Sequence, residues 1–175
     1  MVLPRREDYT NEASEALERA HAWASDMRNA QLDAEHLALG MLSIKDGMAT
    51  KIFEFLGVEL SEMKKDLEFS LKSLPTLGQR QSSTRMIYIE PRLKKVLDEA
   101  QEERQRLNDD FIAIEHLLKG LLSLDDGEID RLLKLNNITM ERIYHALKEI
   151  RGSQRVSDQG ACLLYTSDAA DEVDG

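Results

Sequence analysis

An internal repeat with an offset of 80 residues constrains the fold of this chain more than any other feature. The segment Glu35-His36-Leu37 recurs as Glu115-His116-Leu117, and the correspondence runs without a gap over residues 17–67 and 97–147. A repeated unit of this size cannot bury its apolar face alone, whereas two units packed together share one interior. The repeat therefore predicts one domain built from two similar halves.

Helical periodicity fills both halves. Apolar residues recur three and four positions apart in each predicted helix, and a strand-like pattern is confined to 86–89. Thr10 and Asp33 are suited to cap the first and second helices, and Pro91 fits the first turn of the fifth, where its missing N–H is no loss. We therefore predict an all-α fold with eight helices, arranged as two tandem four-helix repeats with pseudo-twofold symmetry and packed as one domain.

Four glycines occupy equivalent positions in the two halves. Gly40 and Gly120 lie inside predicted helices, where each costs about 1 kcal/mol relative to alanine. We interpret them as points where two helix backbones approach closely, and a hinge is the alternative. Gly47 and Gly127 are predicted to stop the second and sixth helices, because glycine tolerates the backbone conformation that follows a helix.

Composition shifts predict the domain limits. The domain is expected over 7–151, with repeat one at about 9–72, an inter-repeat loop at 73–88, repeat two at about 89–151 and an exit linker at 152–161. Residues 162–175 resemble the translation of an adapter used in sequencing libraries, so we predict a non-native tail there; a genuine acidic tail is the alternative. Without its four acidic residues, the formal net charge changes from −10 to −6.

The acidic balance limits the classes of partner. A net charge of −10 over 175 residues argues against a nucleic-acid binder and against binding to an anionic membrane surface. No apolar run approaches the roughly 20 residues of a membrane span, and the first ten residues lack the apolar stretch of a secretory signal. A single cysteine excludes an intrachain disulfide framework. We therefore expect a cytoplasmic protein without nucleic-acid or membrane partners.

Motifs for catalysis or metal binding are weak. Nothing matches the phosphate-loop pattern G-x-x-x-x-G-K-[ST], so we expect no ATPase activity, no other enzyme activity and no cofactor in this chain. Glu18 and His21 have the Glu-x-x-His spacing of di-iron bundles, but the second half has Gln101 in place of the histidine. A ferritin-like metalloenzyme is therefore a disfavoured alternative, and no metal site is predicted.

Two aligned segments carry a family resemblance. Residues 34–42 and 114–122 are similar to the signature T/P-E-H-L-L-L-G-L-L of the Clp repeat, and residues 9–17 resemble the start of the same domain. The likeness covers about residues 7–151, and 151–158 resembles a linker to a first ATPase module. On these motifs the chain is identified as a member of the Clp N-terminal (Clp repeat) domain of ClpB- and ClpC-type AAA+ ATPases.

This resemblance implies a role in protein quality control. The chain would recognise unfolded or tagged client proteins, and adaptor proteins, for a hexameric unfoldase or disaggregase whose ATP and Mg²⁺ belong to modules farther downstream. A stand-alone Clp-repeat adaptor or decoy is the alternative. In ClpC-type domains the matching glutamates help to bind phosphoarginine tags, which implies Glu35 and Glu115 as ligand residues. The structural reading of these glutamates is stabilisation of a helix start, beside half-buried histidines bonded to backbone.

The signature residues and a set of apolar side chains complete the candidates. We expect a structural role for His36 and His116 beside the four glycines. Apolar side chains near helix ends are expected to lie in the core or, where several are exposed together, to form a client surface. They are Phe53, Phe55, Phe69, Tyr88 and Leu135.

Overall fold

A computed structural model describes residues 5–76 and 87–151 of the chain. The predicted linker 152–161, the predicted tail 162–175 and much of the predicted loop 73–88 lie outside these residues, and the domain limits stay a prediction. The described residues form eight α-helices, a short 3₁₀ helix at Arg6–Asp8 and two short strands. The helices are α1 Asn11–Asp26, α2 Ala34–Leu42, α3 Met48–Phe55, α4 Leu60–Lys72, α5 Pro91–Arg106, α6 Ile114–Leu122, α7 Gly127–Leu135 and α8 Met140–Arg151; the strands are β1 Gln31–Leu32 and β2 Tyr88–Ile89.

The predicted helix starts are confirmed at three positions. The Thr10 hydroxyl accepts a hydrogen bond from the backbone N–H of Ala13, and the Asp33 carboxylate accepts one from the backbone N–H of Ala34. Pro91 is the first residue of α5. Each cap satisfies a backbone N–H that has no partner within its own helix.

The predicted ends of α2 and α6 are wrong. These helices end at Leu42 and Leu122, where the hydroxyls of Ser43 and Ser123 donate back to helix carbonyls. Gly47 instead precedes the first residue of α3, and Gly127 is itself the first residue of α7. The connections are so short that each glycine belongs to the start of the next helix rather than to the end of the previous one.

The two halves are related by a pseudo-twofold arrangement and share one core. Helix α1 packs on α2 and α5 packs on α6, and contacts such as α2 with α7 and α3 with α8 join the halves. Leu32 pairs with Ile89 where β1 meets β2, and Tyr9 forms a parallel bridge with Ile112. These two pairs are equivalent, because Tyr9 corresponds to Ile89 and Leu32 to Ile112 under the 80-residue offset. One hydrophobic cluster extends through both halves. The predicted all-α fold of two four-helix units is therefore confirmed.

Gly40 and Gly120 lie where helix backbones meet. A Cβ atom on Gly40 would stand 2.8 Å from the backbone nitrogen of Ala20 and closer still to the carbonyl oxygen of Ala16. On Gly120 it would stand 2.9 Å from the carbonyl carbon of Val96 and again closer to the oxygen. Any side chain here would push α1 from α2, or α5 from α6.

Candidate functional site

The two signature histidines are buried at the starts of α2 and α6. The backbone N–H of Asp33 donates to Nδ1 of His36 over 2.9 Å, so Nε2 carries the proton and donates to Asn29 over 2.8 Å. His116 repeats the pattern, with Nδ1 accepting from Ala113 and Nε2 donating to Asp109. Both rings are fully buried, rather than half-buried as the structural reading supposed. Each ring ties the loop before a helix to its first turn.

Burial keeps the His36 ring neutral. Removal from water lowers the pKa of His36 from 6.5 to about 4, and the nearby Glu35 charge opposes this only in part. With Nδ1 already used as an acceptor, a second proton would face the N–H of Asp33. The ring is therefore a fixed structural element at neutral pH.

Glu35 lies at the centre of an ion-pair cluster that joins the two halves. This residue is 5% exposed, and both of its carboxylate oxygens accept from the guanidinium of Arg92, over 2.9 and 3.1 Å. It also accepts from the backbone N–H of Ile129 at the start of α7. Arg92 donates further to Asp33 and to Asp126. Burial alone would lower the pKa of Arg92, but Glu35 and the other carboxylates raise it above its ordinary value.

Gly127 lets this cluster form. Its backbone has a φ of +91°, a conformation that side chains disfavour. A Cβ atom there would lie 2.7 Å from a carboxylate oxygen of Glu35 and 2.8 Å from the central guanidinium carbon of Arg92. The signature glycine therefore contacts the signature glutamate across the interface between the halves.

Glu115 is surrounded differently, although it is the counterpart of Glu35. Its side chain is 2% exposed and one oxygen accepts from Arg151 at the end of α8, while the other is buried and has no hydrogen-bond partner among the described residues. Glu12 stands where the repeat offset places Arg92 in the other half, and it accepts from the backbone N–H of Met48 over 2.6 Å. Burial raises the pKa of Glu12, and the nearby Glu115 charge raises it further. The hydrogen bond from Met48 lowers this pKa but does not cancel the rise.

The sequence therefore located the two glutamates but not their surroundings. Glu35 and Glu115 lie in the first turns of their helices as expected, but each is buried and paired with an arginine of the same chain. The pairs depend on Arg92 and Arg151, which sequence reasoning missed. A signal was present, because the 80-residue offset aligns Arg92 with Glu12 and Arg151 with Leu71. A change of charge between equivalent positions of the two halves indicates a local cluster.

An open apolar groove lies where the two halves meet. Its volume is about 390 Å³, and two pairs of its side chains are counterparts in the repeat: Tyr9 with Ile89, and Leu17 with Leu97. Leu32 adds a further apolar side chain. Polar groups form the rest of the lining: Arg6, Ser14, Glu18 and His21. Glu18 forms an exposed ion pair of 2.6 Å with Arg6. Glu18 and His21, which have the Glu-x-x-His spacing, both line this groove.

The other apolar candidates are distributed over the surface. Phe55, Phe69, Tyr88 and Leu135 are exposed, on α3, α4, β2 and α7 respectively. Phe55 lies against the ring of His145, with centroids 6.0 Å apart. Phe53 is buried in the core and cannot contribute to a client surface.

Groups of metal-ligating side chains and helices of membrane-spanning character are both absent from the described part of the chain. Within residues 5–76 and 87–151, no three His, Cys, Asp or Glu side chains converge as metal ligands. None of the helices in these ranges combines the length and apolar character that crossing a bilayer requires.

Comparison with known sequences decides the family. A model of the Clp repeat (R) N-terminal domain matches residues 8–136, which is more than half of the chain. The chain belongs to this Clp repeat family. The ClpB 1 chaperone of Parasynechococcus marenigrum is 35% identical over 166 residues, and the ClpB chaperone of Clostridium perfringens is 30% identical over 151 residues. These matches cover 95% and 86% of the chain.

Solved structures share the fold of this Clp repeat domain. The Hsp104 N-terminal domain from Candida albicans superposes with a TM-score of 0.71 at 23% identity, and covers 88% of this chain and 98% of its own. The N-terminal domain of the ClpV1 ATPase from E. coli gives 0.69 at 16% identity, with 88% and 90% covered.

The match involves a small part of each chaperone. The chain spans 19% of the length of the Parasynechococcus protein and 17% of the Clostridium protein. The matching family model is an N-terminal domain, and the matched relatives are ClpB chaperones. The chain corresponds to that domain.

Proposed function

We propose that this domain recognises unfolded client proteins or adaptors for a cytoplasmic Clp-type unfoldase or disaggregase, and that the apolar groove between the halves is the contact site. The groove is the observation that carries the proposal. It is open to solvent, and it brings the half-buried Leu17 and Ile89 together with the buried Tyr9, Leu32 and Leu97, whereas the exposed apolar side chains lie on separate elements. A solvent-open apolar concavity with a polar rim is the usual form of a peptide-binding surface.

The occupant that fits this groove is an apolar segment of an unfolded polypeptide. Such segments are exposed in unfolded proteins and buried in folded ones, so an apolar groove selects for loss of structure. The Arg6–Glu18 pair and His21 at the rim offer hydrogen-bonding groups to the backbone of a bound segment. Binding of this kind needs no catalytic group.

Substitution in the groove tests the proposal. Leu17→Gln should weaken binding of a permanently unfolded, reduced and alkylated protein by about fivefold or more, because the contact area with the ligand becomes polar. Fluorescence anisotropy with the labelled unfolded protein measures this. Leu60→Gln is the matched control, since Leu60 is also a half-buried leucine but lies outside the groove. Equal affinities for wild type and both variants would contradict the proposal.

The ATPase modules of the whole protein belong to the same proposal. We expect them to follow this domain, to assemble as a hexamer and to bind ATP and Mg²⁺, which the small matched share of the ClpB relatives supports. Reading the genomic DNA beyond the codon of Ala161 tests this expectation. A phosphate-loop motif downstream agrees with it, whereas a stop codon soon after would favour the stand-alone adaptor or decoy.

A further inference from the structure

A second cavity adjoins the apolar groove at the start of α1. Its volume is also about 390 Å³, and it is lined by Arg6, Glu7, Asn11 and Ser14. Arg6 and Ser14 line the apolar groove as well, so these two residues form the wall that the cavities share. All four residues of the second cavity are polar, whereas the groove is mainly apolar. An apolar and a polar concavity thus lie side by side.

Two side chains in the polar cavity have unused hydrogen-bonding groups. Ser14 is 6% exposed, and its hydroxyl makes no hydrogen bond within the described part of the chain. Asn11 is exposed, and its side-chain amide also lacks a partner among residues 5–76 and 87–151. The two residues lie three positions apart on α1, so they project from the same face of this helix. A largely buried hydroxyl without a protein partner is satisfied when a polar group binds in the cavity.

The second half does not repeat this combination of residues. The repeat offset places Ile87 at the position of Glu7, and Pro91 at the position of Asn11. The side chains of isoleucine and proline carry no hydrogen-bonding group. Both halves therefore contribute to the apolar groove, whereas the polar cavity is built from the first half.

The charges around the polar cavity offset one another. Arg6 and Glu7 have opposite charges, and the Arg6 guanidinium also pairs with Glu18 over 2.6 Å. Both partners of that pair are exposed, so the pair contributes little to stability and does not separate the two cavities rigidly. A charged ligand group would meet a charge of its own sign here. A neutral amide or hydroxyl would instead find donors and acceptors that it can use.

We propose that the polar cavity is a second subsite of the groove, which takes neutral polar residues that flank the apolar stretch of a bound segment. This inference rests on the proposed function, because the apolar stretch must lie in the groove for its flank to reach the cavity. The flanking side chains hydrogen-bond to Ser14 and Asn11. An apolar stretch with asparagine, glutamine, serine or threonine at one end is the class of segment that this domain selects.

Four labelled peptides with the same apolar core test the chemical class. Two residues of glutamine, alanine, lysine or glutamate flank the core, and fluorescence anisotropy measures binding in enough salt to screen the net charge of the chain. The glutamine peptide should bind about fivefold more tightly than the alanine peptide, which corresponds to one net hydrogen bond. Both charged peptides should bind more weakly than the glutamine peptide. A charged peptide that binds as tightly or more tightly would overturn the inference.

Substitution of the two unpaired side chains tests whether the preference arises in the cavity. Asn11→Ala should reduce the advantage of the glutamine peptide to about twofold or less, with the affinity of the alanine peptide unchanged. Ser14→Ala should act in the same direction, and it removes a hydroxyl that has no partner in the described residues. Gln105→Ala is the matched control, because it removes an exposed amide on α5 outside both cavities. A preference that both cavity variants retain in full would overturn the inference.

Leu17→Gln separates this inference from the groove proposal. It should weaken the glutamine and alanine peptides by similar factors, because both place the same apolar core in the groove. If it changes neither affinity, the groove is not the contact site and both proposals fail. If it weakens both peptides while the glutamine peptide has no advantage in the wild type, only the polar subsite is wrong.

Discussion

His36 is a buried polar side chain whose hydrogen bonds allow only one protonation state. Nδ1 accepts from Asp33 and Nε2 donates to Asn29, so the imidazole has no place for a second proton. Burial lowers its pKa to about 4, whereas the unfolded chain binds the proton near 6.5. Between these values the unfolded state holds more protons, so the contribution of this residue to stability is complete above pH 6.5 and is lost as the pH falls toward 4.

His36→Gln should therefore reduce the acid sensitivity of the domain. Each unit of pKa shift corresponds to about 1.4 kcal/mol, so wild type should lose up to about 3 kcal/mol of unfolding free energy from this residue between neutral pH and pH 4. Urea denaturation at several pH values measures the slope. His21→Gln, at an exposed position, should keep the wild-type slope. If the unfolding free energy of His36→Gln depends on pH as steeply as that of wild type, His36 is not the source of the acid sensitivity.

Arg92 occupies the position that a guanidinium ligand of Glu35 would need. Recognition of phosphoarginine at Glu35 and Glu115 stays a prediction. Because both glutamates already pair with arginines of this chain, a phosphoarginine ligand must displace those arginines before it can bind. Arg92→Ala should release Glu35 and strengthen binding of free phosphoarginine in calorimetric titrations by about tenfold. Arg131→Ala, at an exposed arginine, is the control. If millimolar phosphoarginine produces no heat with either variant, the tag-receptor hypothesis fails.

At the scale of elements, two glycines set the distance between the paired helices. Both Gly40 and Gly120 place backbone against backbone, with no room for a methyl group. The neighbouring atoms belong mainly to the backbone of α1 or α5, so they cannot move aside as a flexible side chain could. The spacing of each helix pair therefore depends on one residue.

Gly120→Ala should lower the free energy of unfolding by about 3 kcal/mol, because the added methyl group forces α5 away from α6. The gain in helix propensity, about 1 kcal/mol, is too small to compensate. Chemical denaturation followed by circular dichroism measures the change. Lys119→Ala, one residue earlier on α6 and half-buried, is expected to have little effect. A neutral or stabilising Gly120→Ala would show that the two helices can separate without cost.

The sequence predicted elements better than it predicted contacts. The repeat and the helical periodicity led to eight helices and three of their starts, because both patterns are local. The ends of α2 and α6 were wrong because glycine marks the start of a helix as well as the position after one, as Gly127 does. The pairing of Glu35 with Arg92 and of Glu115 with Arg151 joins residues that are distant in sequence, and nothing short of the fold brings them together.

At the scale of the whole molecule, the halves do not have separate cores. One hydrophobic cluster extends through both, and Glu35 of the first half caps α7 of the second. Arg92 on α5, in the second half, donates to Glu35 on α2, in the first half. Neither half can satisfy its buried groups alone, so the two should unfold together.

Two probes should then give one transition. Trp23, the only tryptophan, reports on the first half by fluorescence, and far-ultraviolet circular dichroism reports on all helices. Their urea midpoints should coincide, since loss of either half exposes the shared cluster. Midpoints that differ beyond error would mean that the halves are independently stable.

The symmetry of the groove has a consequence for reading a polypeptide. Tyr9 exchanges with Ile89, and Leu17 with Leu97, when the two halves are interchanged. A segment laid across these two pairs, and the same segment running in the opposite direction, would meet similar apolar side chains. Under the proposed function, these two pairs would select a bound segment by its hydrophobicity and not by its chain direction, which suits clients whose orientation is random at the moment of binding.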